Sequence, residues 1–304
     1  LAIDRSSVSN SPLPAHAGVA AATVHLPQGE WTTVFDCLVA QYPSIPRATW
    51  RSRFERGLVL DENGRALELH SAHRAGLRVH YYREVPDEQP IPFKEVVLYA
   101  DDDLVVVDKP HFLPVAPVGQ YVRETLLVRL QAALGNRDLA PLHRIDRATA
   151  GLVMFSANPA TRNAYQSLFR LRSIHKCYEA LAPALPNEQF PLTRRTRLER
   201  GEPFIRSREV DGQANTETRI EVLETSSTWR YALYPVTGKK HQLRVHMAAL
   251  GAPIRNDDLY PEMFGRAPDD FSSPLQLLAK SIAFDDPLSG AARHFTSTLE
   301  LERV

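Results

Sequence analysis

The chain has 304 residues, 43% of them hydrophobic, and its 36 basic side chains are balanced by 36 acidic ones. That is enough apolar material for two domains or one large one. A formal charge of zero excludes a uniformly basic nucleic-acid coat while leaving room for a local basic groove.

The cysteines, Cys37 and Cys177, are too few and too far apart for a disulfide framework or a zinc pattern. No apolar run approaches the ~18 residues of a membrane span, and the start of the chain lacks the pattern of a signal peptide. These features point to a soluble protein of the reducing cytoplasm.

In chain order, residues 1–29 are rich in Ser, Ala and Pro without a sustained period and read as a loosely ordered leader. The spacing of Val34, Phe35, Leu38 and Val39 predicts a helix over 31–40, ended by Pro43-Ser44-Ile45-Pro46. A second helix is expected over 47–56, stopped by Gly57, with Arg47 and Arg51 four apart on one face. A hairpin with an Asn63-Gly64 turn and a strand over 76–82 complete a small unit, residues 30–84. Residues 85–92, with three prolines and two acids, read as a linker.

Beyond the linker, strands are predicted at 96–99 and 104–107, a helix over 121–134, and a buried strand over 151–155. Asn158-Pro159 reads as the start of a helix running to about residue 171. Further strands are expected at 177–182, 216–223, 228–234, 277–284 and 297–301, with a helix over 242–250. Residues 186–213 read as a loop-rich basic insert. Strands interleaved with single helices, without regular βαβ spacing, define an α+β class. The expected architecture is a mixed, largely antiparallel sheet with flanking helices.

The charge is unevenly placed. Between His143 and Lys176 six basic residues face one acid, and between Thr237 and Arg255 four basic residues face none. Such segments suggest a positive face for a polyanion. The single acid, Asp146, stands between Arg144 and Arg147 in the loop that enters the 151–155 strand. A carboxylate flanked by two guanidiniums stays charged, which suits a nucleophile or base better than a general acid. On spacing alone, a surface ion-pair cluster explains the same residues.

Four segments in order carry a resemblance to a known family: Asp108-Lys109-Pro110, His143-Arg144-Ile145-Asp146-Arg147-Ala148-Thr149-Ala150-Gly151-Leu152, His175-Lys176-Cys177-Tyr178, and Thr237 through His246. Residues 93–304 resemble the RluA-type RNA pseudouridine synthases. Residues 30–84 resemble an S4-type RNA-binding domain, a small N-terminal α/β unit. The resemblance implies an isomerase that breaks the C1′–N1 bond of a uridine in RNA, turns the base and rejoins it through C5, without metal or other cofactor.

The resemblance assigns Asp146 the catalytic carboxylate, adding to C1′ or removing a ribose proton. Arg244 orients it, Tyr178 lies against the uracil, and Arg144 fills the gap left by the flipped base. It further implies RNA contacts from Arg147, Lys176, Lys239, Lys240, His241 and Leu243, and from Arg47 and Arg51 in the N-terminal unit. Lys109, His143 and His241 read as phosphate contacts or local structure.

The partner is RNA, ribosomal first and transfer RNA second, and the chain is expected to be a monomer. Ala148, Ala150 and His111-Phe112 depart from the family's usual residues, which bears on loop conformation and target choice. Two other readings follow from the same residues: a non-catalytic RNA-binding protein of this fold, and a nucleoside or glycoside hydrolase. The motif's lack of a second carboxylate speaks against the hydrolase.

Overall fold

The structure is a computed structural model that describes residue 13 and residues 21–83, 88–119, 121–203, 205–267 and 269–302. The chain divides into two compact units, Leu1–Glu88 and Gln89–Val304. The division falls inside the segment read as a linker. Most of the expected leader, residues 1–12 and 14–20, lies outside the described residues.

The first unit runs β1 (Ala22–His25), α1 (Val34–Gln41), α2 (Arg47–Glu55), β2 (Val59–Leu60) and β3 (Arg78–Tyr81), with its antiparallel strands in the order β1-β3-β2. Strand β1 corrects the reading of 1–29 as loosely ordered throughout. Its alternation spans four residues, too few to stand out beside the alanines before it. Thr33 caps α1 by accepting the Asp36 N–H at 3.0 Å. Both helices close on Phe35, Leu38, Trp50, Val79 and Tyr81, all buried, and each such side chain contributes roughly 1.5–3 kcal/mol of burial. The hairpin is shorter than its pattern predicts: beyond β2 its return limb makes only a bridge, Ala66 to Leu60.

The second unit runs β4 (Val96–Ala100), β5 (Leu104–Lys109), α3 (Leu126–Leu134), β6 (Ala140–Pro141), β7 (Ala150–Ser156), α4 (Arg162–Arg170), β8 (His175–Ala182), β9 (Leu192–Arg200), β10 (Ser207–Val210), β11 (Thr216–Glu224), β12 (Trp229–Pro235), α5 (Gln242–Ala249), β13 (Leu277–Asp285) and β14 (Ala292–Thr296). Among the described residues these strands form one eleven-stranded sheet, ordered β10-β9-β11-β12-β8-β13-β7-β5-β4, with β14 on β13 and β6 on β7. The β13–β7 pair is parallel and the other pairings are antiparallel, so the α+β class holds.

Alternation sorts the sheet's residues onto two faces. Val105, Val107, Val153 and Phe155 pack with α3 through Leu126 and Leu130. Leu104, Val106, Leu152 and Met154 pack with α4 through Tyr165 and Leu168. Strand β7 is therefore buried on both sides along its whole length. Farther along the sheet, Leu243 and Met247 of α5 lie on Ala180, Ile220, Tyr231 and Leu233.

Several expectations are corrected. The basic insert is a β-ribbon: β9 pairs with both β10 and β11. Its arginines concealed the alternation, and Arg194, Arg195 and Arg197 are engaged by Glu209, Glu217 and Glu199. Helix α3 starts at Leu126 rather than 121, because extended Thr125 caps it at Val128 N. Asn158 caps the turn before α4, accepting the Ala160 N–H at 3.0 Å. The last strand is β14, not 297–301. There Thr298 N donates to the Asp108 carboxylate at 2.7 Å, and its hydroxyl does so at 2.9 Å.

The sheet forks at β13. Its Leu278 and Ala279 pair with Ala150 and Gly151 of β7, and from Ser281 onward the same edge pairs with β14. The loop carrying Asp146 enters the sheet at this fork.

Candidate active site

The loop 143–149 is held by its backbone. Lys109, wholly buried at the end of β5, donates from Nζ to the carbonyls of Pro110 and Leu113, both at 2.8 Å, and of Arg147 at 3.2 Å. Burial pulls this ammonium down to about 7, with the Asp146 charge opposing. His111 donates Nδ1–H to the Ala148 carbonyl at 2.6 Å, and burial lowers its ring to about 4. At the loop's start His143 accepts the Met154 N–H at 3.1 Å and stacks on Phe169. Its ring is neutral, lowered by burial and then by Lys176 to about 3. Lys109 and His143 are thus structural, and neither is free to hold a phosphate.

Gly151 follows at φ 104°. A Cβ there would sit well inside van der Waals contact with the Ala279 carbonyl and 2.7 Å from Ala279 N. This close approach of two backbones lets Tyr178, Ala279 and Gly151 lie side by side on β8, β13 and β7. Tyr178 is thereby brought next to the root of the Asp146 loop. Packing around the phenol raises its hydroxyl above the usual range, and the Asp146 charge adds to that.

Opposite, α5 presents three buried polar side chains, Gln242, Arg244 and His246. Gln242 donates to the Glu217 carbonyl and Thr218 Oγ1, and His246 bonds to Thr196, Thr216 and Thr218. These bonds fix the helix to β9 and β11 and leave Arg244 aimed at the loop.

Arg244, 3% exposed, donates Nε to Asp257 at 2.8 Å and Nη2 to the same carboxylate at 2.6 Å. Nη2 also reaches Asp258 at 3.1 Å, and Nη1 faces Asp146 Oδ2 at 3.4 Å. Burial works against its charge, but the acids, Asp257 foremost, raise its affinity for the proton above the ordinary value. The bidentate pair expected with Asp146 is instead made with Asp257, which is 1% exposed.

His241, in the left-handed conformation before α5, lies 3.7 Å from Asp146 Oδ1 and 2.9 Å from the Tyr260 hydroxyl. It is turned inward at 7% exposure, toward the cleft it helps to line. Arg147 lies over the rings of Tyr121, at 4.9 Å, and Phe112, at 5.8 Å, and Arg144 is exposed.

Asp146, Tyr178, Leu243 and Arg244 share a cleft of about 760 Å³, rimmed by Arg144, Arg147, Arg172, Lys176, Lys239 and Lys240. Arg172, at φ 57°, joins the basic residues anticipated from sequence. Arg47 and Arg51 belong to the other unit, where both lie over Phe35 and Arg47 pairs with Asp36 at 3.0 Å. Asp257, Asp258 and Tyr260 escaped the sequence reading: the one local signal is a pair of acids in an irregular stretch. The arrangement is a lone reactive carboxylate, steadied by a buried cation, in a pocket walled by an aromatic ring and edged with positive charge. It suits attack on, or proton removal from, the sugar of an anionic polymer.

Comparison with known proteins agrees. The RNA pseudouridylate synthase family profile matches residues 103–249. The dual-specificity RNA pseudouridine synthase RluA of Salmonella typhi is 31% identical over 216 residues, covering 66% of this chain and 91% of that protein. An uncharacterized RNA pseudouridine synthase of Synechocystis, slr1592, is 29% identical over 75% of this chain and 79% of its own length. The solved structure of human RNA pseudouridylate synthase domain containing 1 shares the fold, with TM-score 0.55 and 24% identity, over 69% of this chain and 85% of that one.

Proposed function

The chain belongs to the RluA-type RNA pseudouridine synthases, and from that premise we propose that it flips one uridine out of a structured RNA and isomerises it with Asp146 as nucleophile or base. Ribosomal RNA is the first choice of substrate and transfer RNA the second. Arg244 holds the carboxylate, Tyr178 and Leu243 contact the uracil, and Arg144 fills the space the base leaves. Arg147, Lys176, Lys239 and Lys240 take the phosphates. The N-terminal unit, read as S4-like from its sequence, adds phosphate contacts through Arg47 and Arg51. The protein acts as a cytoplasmic monomer.

One observation carries the reading: Asp146, Tyr178 and Arg244, far apart in sequence, line one cleft with a basic rim. The chemistry asks for no redox change. The uracil leaves C1′ with the bonding electrons, rotates, and bonds to C1′ through C5 as any bond from Asp146 to the sugar breaks; C5 then loses its proton and N1 takes one up. Both electron pairs end within the same nucleotide, so the protein supplies position and one carboxylate.

The test is tritium release from RNA labelled at uridine C5, taken from cells lacking the gene. Asp146→Asn is expected to abolish release while its RNA affinity stays within about twofold of wild type, since the substitution removes charge and little volume. A variant that retained near-normal release would overturn the role given to Asp146. Binding without release in the wild type would instead favour the non-catalytic RNA-binding protein.

A further inference from the structure

The two oxygens of Asp146 have different neighbours. Oδ2 faces Arg244 at 3.4 Å, and Oδ1 faces His241 Nε2 at 3.7 Å. What His241 offers to Oδ1 depends on which ring nitrogen carries the proton, and the surrounding hydrogen bonds decide that.

Tyr260 is 5% exposed, and its hydroxyl oxygen accepts the Ser207 backbone N–H at 2.7 Å. The same hydroxyl is 2.9 Å from His241 Nδ1. If Nδ1 held the proton, the tyrosine oxygen would receive two donors and its own hydrogen would be buried without an acceptor. That costs about 1–3 kcal/mol. With Nδ1 as acceptor, the Tyr260 hydroxyl both donates and accepts, and the ring proton sits on Nε2, on the side of Asp146.

The ring is neutral near pH 7. Burial draws it down to about 4, Asp146 and Asp257 opposing, Arg244 and Lys240 assisting. Its backbone is held at φ 57°, a conformation uncommon outside glycine, and this turns the ring from solvent to the carboxylate.

The geometry points to His241 as a positioning residue that fixes the torsion of the Asp146 carboxylate through an Nε2–H aimed at Oδ1, with Tyr260 selecting that tautomer. This rests on the isomerase reading above. Arg244 alone meets one oxygen through one nitrogen, and the carboxylate would remain free to turn about Cβ–Cγ. A donor on each oxygen sets its plane and leaves the remaining lone pairs toward the cleft.

The Arg244 hydrogen bond to Asp146 is long, at 3.4 Å, and the 3.7 Å from His241 exceeds a hydrogen bond, as is common in a free enzyme whose contacts tighten on substrate binding. Whichever oxygen reacts, the charge on Asp146 is spent in the first half of the reaction and restored in the second. A neutral donor supports the restored carboxylate without locking it in a full ion pair.

The experiment uses the full chain and C5-tritiated RNA from cells lacking the gene, measured in single turnover. His241→Ala is expected to slow release by about 10–100-fold with RNA affinity unchanged, the size of effect that a small misplacement of a reacting group produces. His241→Gln, whose amide can donate from nearly the same place, is expected to recover to within about threefold of wild type. Its rate should parallel wild type between about pH 5.5 and 8, since both donors are neutral there. Tyr260→Phe, which removes one oxygen and keeps the ring, is expected to slow release by about 3–10-fold.

A normal rate in His241→Ala beside an active wild type would sink this inference alone. So would a loss in affinity that accounts for the loss in rate, or a His241→Gln variant no better than His241→Ala. No release by the wild type would bring down the isomerase reading, and this inference with it.

Discussion

Arg244 divides its guanidinium among three carboxylates, with the two strong bonds on Asp257 and only the long Nη1 contact left for Asp146. A buried arginine bound bidentately to one acid is oriented by it, so Asp146 keeps a cation nearby without being saturated. Adjacency in sequence gave the wrong ionic partners for Asp146. Arg147 shares its loop but lies over Tyr121 and Phe112, whereas Asp257, 111 positions downstream of Asp146, enters only through tertiary structure. The paired acids Asp257-Asp258 in an irregular stretch are too weak a signal to betray it.

Lys109 is a second buried charge, and its titration has a sign. Unfolded, a lysine titrates near 10.5, whereas burial brings the folded value to about 7. The folded state binds fewer protons across that window, so this residue's contribution to stability grows as pH rises from about 7 and is least below it. Relative to Lys109→Met, the wild type should gain stability between about pH 7 and 10, each pH unit being worth about 1.4 kcal/mol. The difference should be flat below about 6.5. Urea midpoints of the two proteins across this range provide the check, and a constant difference throughout would show the ammonium to be charged at every pH.

At the scale of elements, strands β5, β7, β8 and β12 and helix α5 were legible because apolar period and turn residues coincide in them. The ribbon β9–β10 was not, because arginines paired with glutamates along a solvated strand read as polar loop. The leader concealed β1 for want of length. The fork of β13 is invisible in sequence, since nothing local says that two partners will share one edge.

Gly151 is the residue that the fork requires. Gly151→Ala should destabilise the protein by roughly 2–4 kcal/mol, through both its left-handed backbone and the collision with Ala279. It should also depress turnover more than RNA affinity, because the Asp146 loop starts there. Chemical denaturation and the tritium assay measure the two effects. A change below about 0.5 kcal/mol, the size of an ordinary surface substitution, would mean that the two strands separate easily at this point.

Over the whole molecule, a neutral chain still presents a positive cleft, because acids are spent where they pair with structural arginines. The ribbon illustrates this: Glu209, Glu217 and Glu199 answer Arg194, Arg195 and Arg197. Within the N-terminal unit, Arg47 and Arg51 flank Phe35 and face solvent in part. If they hold RNA, Arg47→Ala with Arg51→Ala should weaken binding and reduce the slope of log affinity against log salt by roughly 1.5, the share of two phosphate contacts. Titrations at several salt concentrations read this directly, and an unchanged slope would confine both arginines to local packing on Phe35 and Asp36.

The fork has a consequence for how the enzyme comes into being. Asp146 precedes a strand on one side of it and Arg244 lies on a helix packed against the other, 98 positions later, while the strand pairing that ties β7 to that other side is made by Leu278 and Ala279, from the last quarter of the chain. A nascent chain would therefore possess Asp146 long before it possesses the arginine that pairs with it.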